Sequence, residues 1–300
     1  MANTEATVTA ANSGAAVTIE TLGALTPVAQ AMLDELVVQS GWNQTPQDWA
    51  IFSREGAVCA VRDSKGHIIA SGAVLPMGDH VAWISMILVA PRARGQGLGT
   101  AVFEHCLSVV KAAGRTAYLD ATPAGERIYS QFGFTPEFRL TRWQRDTFAA
   151  AVPPDRTAKH EGELPTALDT PALEALAALD TQALGAPRSA LLADFLARED
   201  AACVHSTTGF AIVRRGRIAH QIGPILASDE ASGAALLGRA AQSLAGKVFV
   251  DVPDERALLC EQLRDAGFAP QRGFVRMVLG AQPLRGQTAL IHAIAGPEFG

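Results

Sequence analysis

No two cysteines in this chain are spaced for a metal site or a redox couple. Cys59, Cys106, Cys203 and Cys260 each stand in an apolar stretch, with no Cys-x-x-Cys and no histidine cluster beside them. A disulfide framework and a zinc site are therefore not expected, no metal is implied, and reduced core thiols are the reading. The chain also lacks any long basic block, and its formal net charge is -5, which speaks against a nucleic-acid partner. No apolar run is long enough to span a bilayer; the longest, residues 81–91, has the length of a strand. Residues 1–16 are small and polar, without the charged start and apolar centre of a secretory signal, and read as a flexible tail. These absences predict a cytoplasmic protein with no membrane partner.

What is present suffices for two cored domains. Of 300 residues, 48% are apolar and only 18% charged, which excludes a disordered chain. Thr26-Pro27 and Thr45-Pro46 are helix starts, each a capping residue followed by proline at the first helical position. Val28, Met32, Leu36 and Val37 continue a helical face from the first, and Asp48-Trp49 opens the second. Residues 57–61, 67–75 and 81–89 are β-rich runs separated by turns. A glycine-rich loop follows, then a helix with Leu98, Val102, Cys106 and Val109 on one face, a strand over 116–119, a short helix over 125–132 and a strand over 138–143. Residues 146–169, with Pro153-Pro154 and Pro165 and little periodicity, read as a linker between a first unit over 17–145 and a second over 170–300. The second unit opens on a capped helix at Thr170-Pro171. It continues with a hairpin about Arg215-Gly216, helices near 229–244 and 255–266, and strands over 248–250, 274–279 and 289–295.

An internal repeat links the halves. Tyr118-Leu119-Asp120 corresponds to Phe249-Val250-Asp251, each succeeded by a short helix and Gly-Phe-x-Pro, with Arg142 and Arg276 each six residues beyond that proline. Asp120 and Asp251 end strands and are expected to cap the short helices after them.

The segment with chemical content is the loop after residue 89. Gly97 and Gly99 let the backbone approach a ligand, the N–H groups of the following helix converge on one concavity, and Arg94 adds positive charge. That is an anion site suited to a pyrophosphate. A Walker P-loop is excluded, since no Gly-Lys precedes a Ser or Thr. A Gly-x-Gly-x-x-Gly fingerprint fails as well, because Thr100 or Val102 stands at its last position.

Arg94-x-x-Gly97-x-Gly99, joined some thirty residues on by Tyr129-x-x-x-Gly133-Phe134, resembles the GNAT N-acetyltransferase superfamily across about 17–145. The second half resembles the degenerate GNAT-like domain of certain bacterial tandem proteins, with Ile222-Gly223-Pro224 and Ala295-Gly296-Pro297-Glu298 contributing. Where its pyrophosphate loop should lie stands Leu226-Ala-Ser-Asp229-Glu230, and Leu263 takes the place of the tyrosine, so the second half is not expected to bind acyl-CoA. The resemblance implies an α+β protein of two tandem GNAT-like folds, each a mostly antiparallel mixed sheet flanked by helices. It implies acetyl-CoA as co-substrate, held by Leu88, Val89, Arg94, Gly95, Gln96, Gly97, Leu98, Gly99, Thr100 and Tyr129. It also implies an amine acceptor, small molecule or peptide, that attacks the thioester directly. Backbone N–H near Leu88 or Val89 would hold the thioester carbonyl where that strand splays from residues 117–119. Tyr129 would protonate the leaving thiolate, or else simply pack beneath the short helix.

The general base is open. Trp83 stands where several histone-type relatives carry a glutamate, which leaves Asp79, His80 or a water chain. Trp42, Asn43, Trp83 and Thr122 are candidate acceptor contacts, against a core role for the aromatics and a capping role for Thr122. A non-catalytic acyl-CoA-binding regulator is the alternative function. Oligomeric state is not legible.

Overall fold

The long apolar runs of the chain line up in a single sheet. The computed structural model describes residues 4–9, 16–146, 170–242 and 244–300, and so leaves nearly all of the expected linker outside it. Chain order is β1 (Thr4–Thr9), β2 (Ala16–Leu22), α1 (Pro27–Ser40), α2 (Pro46–Glu55), β3 (Ala57–Arg62), β4 (Ile68–Met77), β5 (Val81–Val89), α3 (Leu98–Ala112), β6 (Thr116–Ala121), α4 (Pro123–Gln131) and β7 (Thr135–Arg145). The second half adds α5 (Thr170–Leu184), α6 (Ser189–Leu196), β8 (Ala202–Ser206), β9 (Gly209–Arg215), β10 (His220–Ala227), α7 (Glu230–Gln242), β11 (Val248–Pro253), α8 (Ala257–Asp265), β12 (Ala269–Leu279) and β13 (Ile291–Ala293). This is the α+β fold expected, with three corrections. Residues 4–9, read as tail, pair antiparallel with β2 along their whole length. α6 and β8 have no counterpart in the sequence reading. Val28, placed on the buried face of α1, is 64% exposed; Ala29, Leu33, Leu36 and Val37 form that face.

The Thr-Pro starts behave as read. Thr26 Oγ1 accepts from Ala29 N at 3.2 Å. At Thr45, Asp48 closes a capping box, with Thr45 N donating to its Oδ2 at 2.7 Å, and Trp49 is fully buried.

Strand order is β1-β2-β3-β4-β5-β6-β12-β7-β11-β10-β9-β8, with β13 beside β10. The last long strand of each half is therefore exchanged. β12 pairs with β6 and β7, and β7 pairs with β12 and β11, so the two expected sheets merge into one. The repeated arginines explain the register. Arg142 on β7 forms a two-pronged pair with Asp251 on β11, both contacts at 2.8 Å. Arg276 on β12 does the same with Asp120 on β6, at 2.9 Å. Each half's arginine thus holds the other half's aspartate, the reciprocity of an approximate two-fold. Asp120 and Asp251 therefore cap nothing; they are fully buried ion-pair partners. The main core likewise crosses the halves, taking Phe195, Phe210, Phe274 and Phe299 together with Trp49, Phe52 and Phe103.

Candidate active site

Two parallel junctions define the functional geometry. β5 and β6 pair over only three positions, Val81↔Thr116 to Trp83↔Tyr118, and then separate. β10 and β11 repeat this over His220↔Val248 to Ile222↔Val250. In the second half the gap beyond is filled. β13 pairs antiparallel with β10, and Ile294 N donates to Asp251 O at 2.9 Å, so the chain's own backbone closes the slot. Gly223 is required there, because a Cβ on it would meet Ile294 O at 2.0 Å. The helix beyond is sealed too, Asp229 Oδ1 accepting from Ser232 N at 2.8 Å at the start of α7. A phosphate would find that position taken by a carboxylate.

In the first half the gap is open. The splay starts at Ile84 and Leu119, above the expected position, since Ala117 and Tyr118 are still paired. A β-bulge sits here. Register on β4 shifts between Ser71 and Ala73, so that Gly72 faces two residues, and Met86 has φ 56°. Ser71 Oγ donates to Met86 O at 3.1 Å, fixing the distorted turn of strand.

Two cavities meet at this gap, sharing Ile87 and Tyr129 as walls. The outer one is the glycine loop, lined by Val89, Arg94, Gly95, Gly97, Leu98, Gly99 and Thr100. Gly95 and Gly97 both adopt left-handed φ, 77° and 79°. No side chain caps α3, and its first backbone bond is Ala101 N to Gly97 O at 3.0 Å. The N–H groups of Leu98, Gly99 and Thr100 are thus left for a ligand. Arg94 is anchored by its Nε on Val89 O at 3.2 Å. These residues fit a diphosphate. Gln96 is exposed and lines neither cavity, and Leu88 is core, only 2% exposed.

The inner cavity is lined by both halves. The first contributes Trp42, Asn43, Gln44, residues 84–87, residues 119–122, Tyr129 and Arg142; the second contributes Ile218, Phe249, Gln271, Arg272, Phe274, Pro297 and Glu298. Tyr129 stacks at a tilt on Phe103, centroids 4.5 Å apart, and burial pushes its hydroxyl up to about 12. Thr122 lines the cavity and also caps α4, accepting from Gly125 N at 3.2 Å. Asn43 lines it while its Oδ1 clamps the β9–β10 turn, accepting from Ile218 N at 3.0 Å and Ala219 N at 2.9 Å. Ser85 Oγ and Gln44 Oε1 are buried at this wall without a hydrogen-bond partner among the described residues.

Trp83 does not reach the cavity. It is fully buried, stacked on Tyr118, and donates from Nε1 to Pro297 O at 3.1 Å. Asp79 and His80 lie at the opposite end of β5, against residues 185–187 and 281–285. Neither is positioned to act as a base here. The sequence reading missed the acid that does line the cavity. Glu298 comes directly after the proline held by Trp83, so a segment from the far end of the chain sets a carboxylate beside β5 at this cavity. That segment is pinned: Arg188 donates to Phe299 O at 2.8 Å, Arg214 donates to Ala295 O, and Phe299 N closes a turn on Gly296 O at 2.9 Å. Among the described residues no side chain hydrogen-bonds the Glu298 carboxyl. Burial pushes it up to about 7, against the pull of Arg214 and Arg142. The signal available was Gly-Pro-Glu at 296–298, which carries no periodicity.

The open splay, glycine loop and uncapped helix define a fold of the GNAT class, and the comparisons agree. A model described as the acetyltransferase (GNAT) family matches residues 29–134, and one described as an acetyltransferase (GNAT) domain matches residues 176–293. The chain belongs to the GNAT superfamily, with two of its domains in tandem, and acyl transfer is the reaction class of that family. It is 27% identical over 243 residues to holothin acyltransferase of a Pseudoalteromonas strain, covering 77% of this chain and 78% of that protein. Its fold is similar to a candidate acetyltransferase of Pyrococcus horikoshii, with TM-score 0.75 at 20% identity over 94% and 96% of the two chains. It is also similar to a tandem GNAT protein from the clavulanic acid biosynthesis pathway, with TM-score 0.61 at 16% identity over 88% and 98%.

Proposed function

We propose that this chain is an acetyl-CoA-dependent N-acetyltransferase acting on an amine acceptor, small molecule or peptide. Its catalytic unit spans 17–145, joined by a linker over 146–169 to a unit over 170–300 that completes the acceptor pocket. The observation that carries this reading is the open gap between β5 and β6, which joins the glycine loop at one end to a carboxylate-bearing cavity at the other. The likeness to holothin acyltransferase supports the reaction class.

Acetyl-CoA supplies the thioester. Arg94 and the N–H groups from Gly97 to Thr100 hold its diphosphate, and the bulge at Met86 and Ile87 offers backbone donors nearer the gap than Leu88 and Val89 do. Glu298 takes the proton that an ammonium must lose before it can attack, and Tyr129, neutral through the physiological range, gives one to the departing sulfur. The regulator alternative drew on the missing strand glutamate, and Glu298 supplies that missing acid. The test is calorimetric titration with acetyl-CoA, then thiol release across a panel of amines. Binding with amine-dependent release is expected; binding without release for any amine would restore the regulator.

A further inference from the structure

Charge balance inside the inner cavity points beyond the reaction to the acceptor. Four of its charged neighbours are already neutralised, as the pairs Arg142–Asp251 and Arg276–Asp120. Two are not. Glu298 stands on one wall without a side-chain partner. Arg272 stands on another and forms no ion pair or hydrogen bond to any described residue, Glu298 included.

The placement of Arg272 is costly. Its Cα is the direct cross-strand partner of Arg142, so two cationic residues sit opposite each other on neighbouring strands, and the nearest paired carboxylate, Asp251, lies beyond Arg142 on β11 and is already taken by it. Like charges directly opposite are destabilising. The register shift between Pro270 and Arg272, which leaves Gln271 as an extra residue at the cavity mouth, brings this cation to the pocket wall. Both guanidiniums lie near the Phe274 ring, that of Arg142 5.5 Å and that of Arg272 6.0 Å from its centroid. Burial and Arg142 together lower the affinity of Arg272 for its proton, the response of a cation lacking a counter-ion.

Resting on the acetyltransferase reading, we propose that the acceptor is an amino acid or amino-acid-like zwitterion. Its ammonium faces Glu298, its carboxylate is taken two-pronged by Arg272, and an apolar or aromatic body rests on Phe249, Phe274 and Trp42. In the step, an N–H proton passes to the Glu298 carboxylate, and the freed nitrogen pair bonds to the thioester carbon. The carbon–sulfur bond breaks with its electrons on sulfur, the sulfur takes the Tyr129 proton, and a second N–H proton leaves the amide nitrogen to solvent. Arg214 on β9, Arg142 on β7 and Asp48 on α2 are the charged groups that face Glu298, and Asp48 is itself held by Arg198 at 2.8 Å.

The experiment compares apolar and aromatic amino acids with their amides and their decarboxylated amines. Thiol release from acetyl-CoA is read for wild type, R272Q and R272K, and calorimetric binding of the same compounds is read with and without CoA. A preference of about tenfold or more in kcat/KM for the carboxylate-bearing members is expected. R272Q should abolish that preference through KM with the amides unaffected, and R272K should restore part of it. Equal or better use of the amides, an equal loss on every compound in R272Q, or no turnover and no binding for any carboxylate-bearing amine would overturn it. Arg272-dependent binding of amino acids without acetyl-CoA binding would keep this proposal and sink the acetyltransferase reading instead.

Discussion

Replacing Glu298 by Gln should make the protein more stable and nearly inactive, and both effects trace to one carboxyl. Glu298 is 8% exposed and titrates at about 7 against an ordinary 4.5. The folded protein therefore binds this proton more tightly than the unfolded chain. That contribution to stability is complete below pH 4.5 and is lost as pH rises through 7, amounting to about 3 kcal/mol by pH 8. Gln cannot ionise, so E298Q escapes the loss. At pH 8 it should melt roughly 5 °C higher than wild type, and at pH 4.5 the two should coincide. Activity runs the other way. The ionised fraction climbs from about a tenth at pH 6 to about nine-tenths at pH 8. With the acceptor arriving as its ammonium across this span, the wild-type kcat/KM should itself rise about tenfold from pH 6 to 8 and level off above 7, a limb that E298Q lacks. Loss of the base should lower turnover by about 10²-fold or more. Differential scanning calorimetry and thiol-release kinetics over pH 5.5–9 supply both readings. An E298Q protein that melts lower at pH 8, or one that keeps the wild-type pH limb, would refute the assignment.

The loop can be tested with Gly97→Glu, which forces a side chain onto φ 79° and sets a carboxylate among the helix N–H groups; acetyl-CoA affinity should fall at least about tenfold by calorimetry. Tyr129→Phe should keep CoA affinity within about threefold and lower turnover by about tenfold or more, and since the hydroxyl titrates at about 12 it should leave the pH profile between 6 and 9 unchanged in shape. Asp251→Asn leaves Arg142 buried without its partner and should cost about 3–5 kcal/mol in urea unfolding. If the exchanged strands bind the halves into one cooperative unit, that variant should still unfold in a single transition by fluorescence and circular dichroism alike.

The loop, both Thr-Pro helix starts and the alternation of strands with helices were legible, because each is written in local residues. The repeat of Asp and Arg was legible too, but not its meaning. A strand carrying Arg142 six residues after Gly-Phe-x-Pro looks the same whether it pairs within its own half or across to the other. Strand exchange is a choice between equivalent partners, and periodicity is blind to it. Residues 4–9, half of them threonine and with Ala6 and Val8 alone apolar, carry too little apolar signal to declare a strand. The cavity proposed for the acceptor was half visible. Trp42, Asn43 and Thr122 do line the cavity, but Trp83 supports it from behind, and Glu298 lay in a short terminal run with no pattern.

The sealed slot of the second half and the open pocket of the first are two ends of one event in the chain. β13 enters the gap between β10 and β11, whose counterpart between β5 and β6 stays open. The segment leaving β13 has then to run toward the first half: Ile294 bonds Asp251 O, Pro297 O meets Trp83, and Glu298 arrives at the acceptor cavity. The backbone path that closes the second slot is thus the one that brings the Glu298 carboxylate to the cavity of the first half. A chain with two working slots would have to leave β13 out, and residues 294–300 would then lose the anchor that sets their direction. On the proposed reading the second domain serves the first because its own slot is blocked, and the carboxylate that β5 lacks is supplied by the segment that follows the blocking strand.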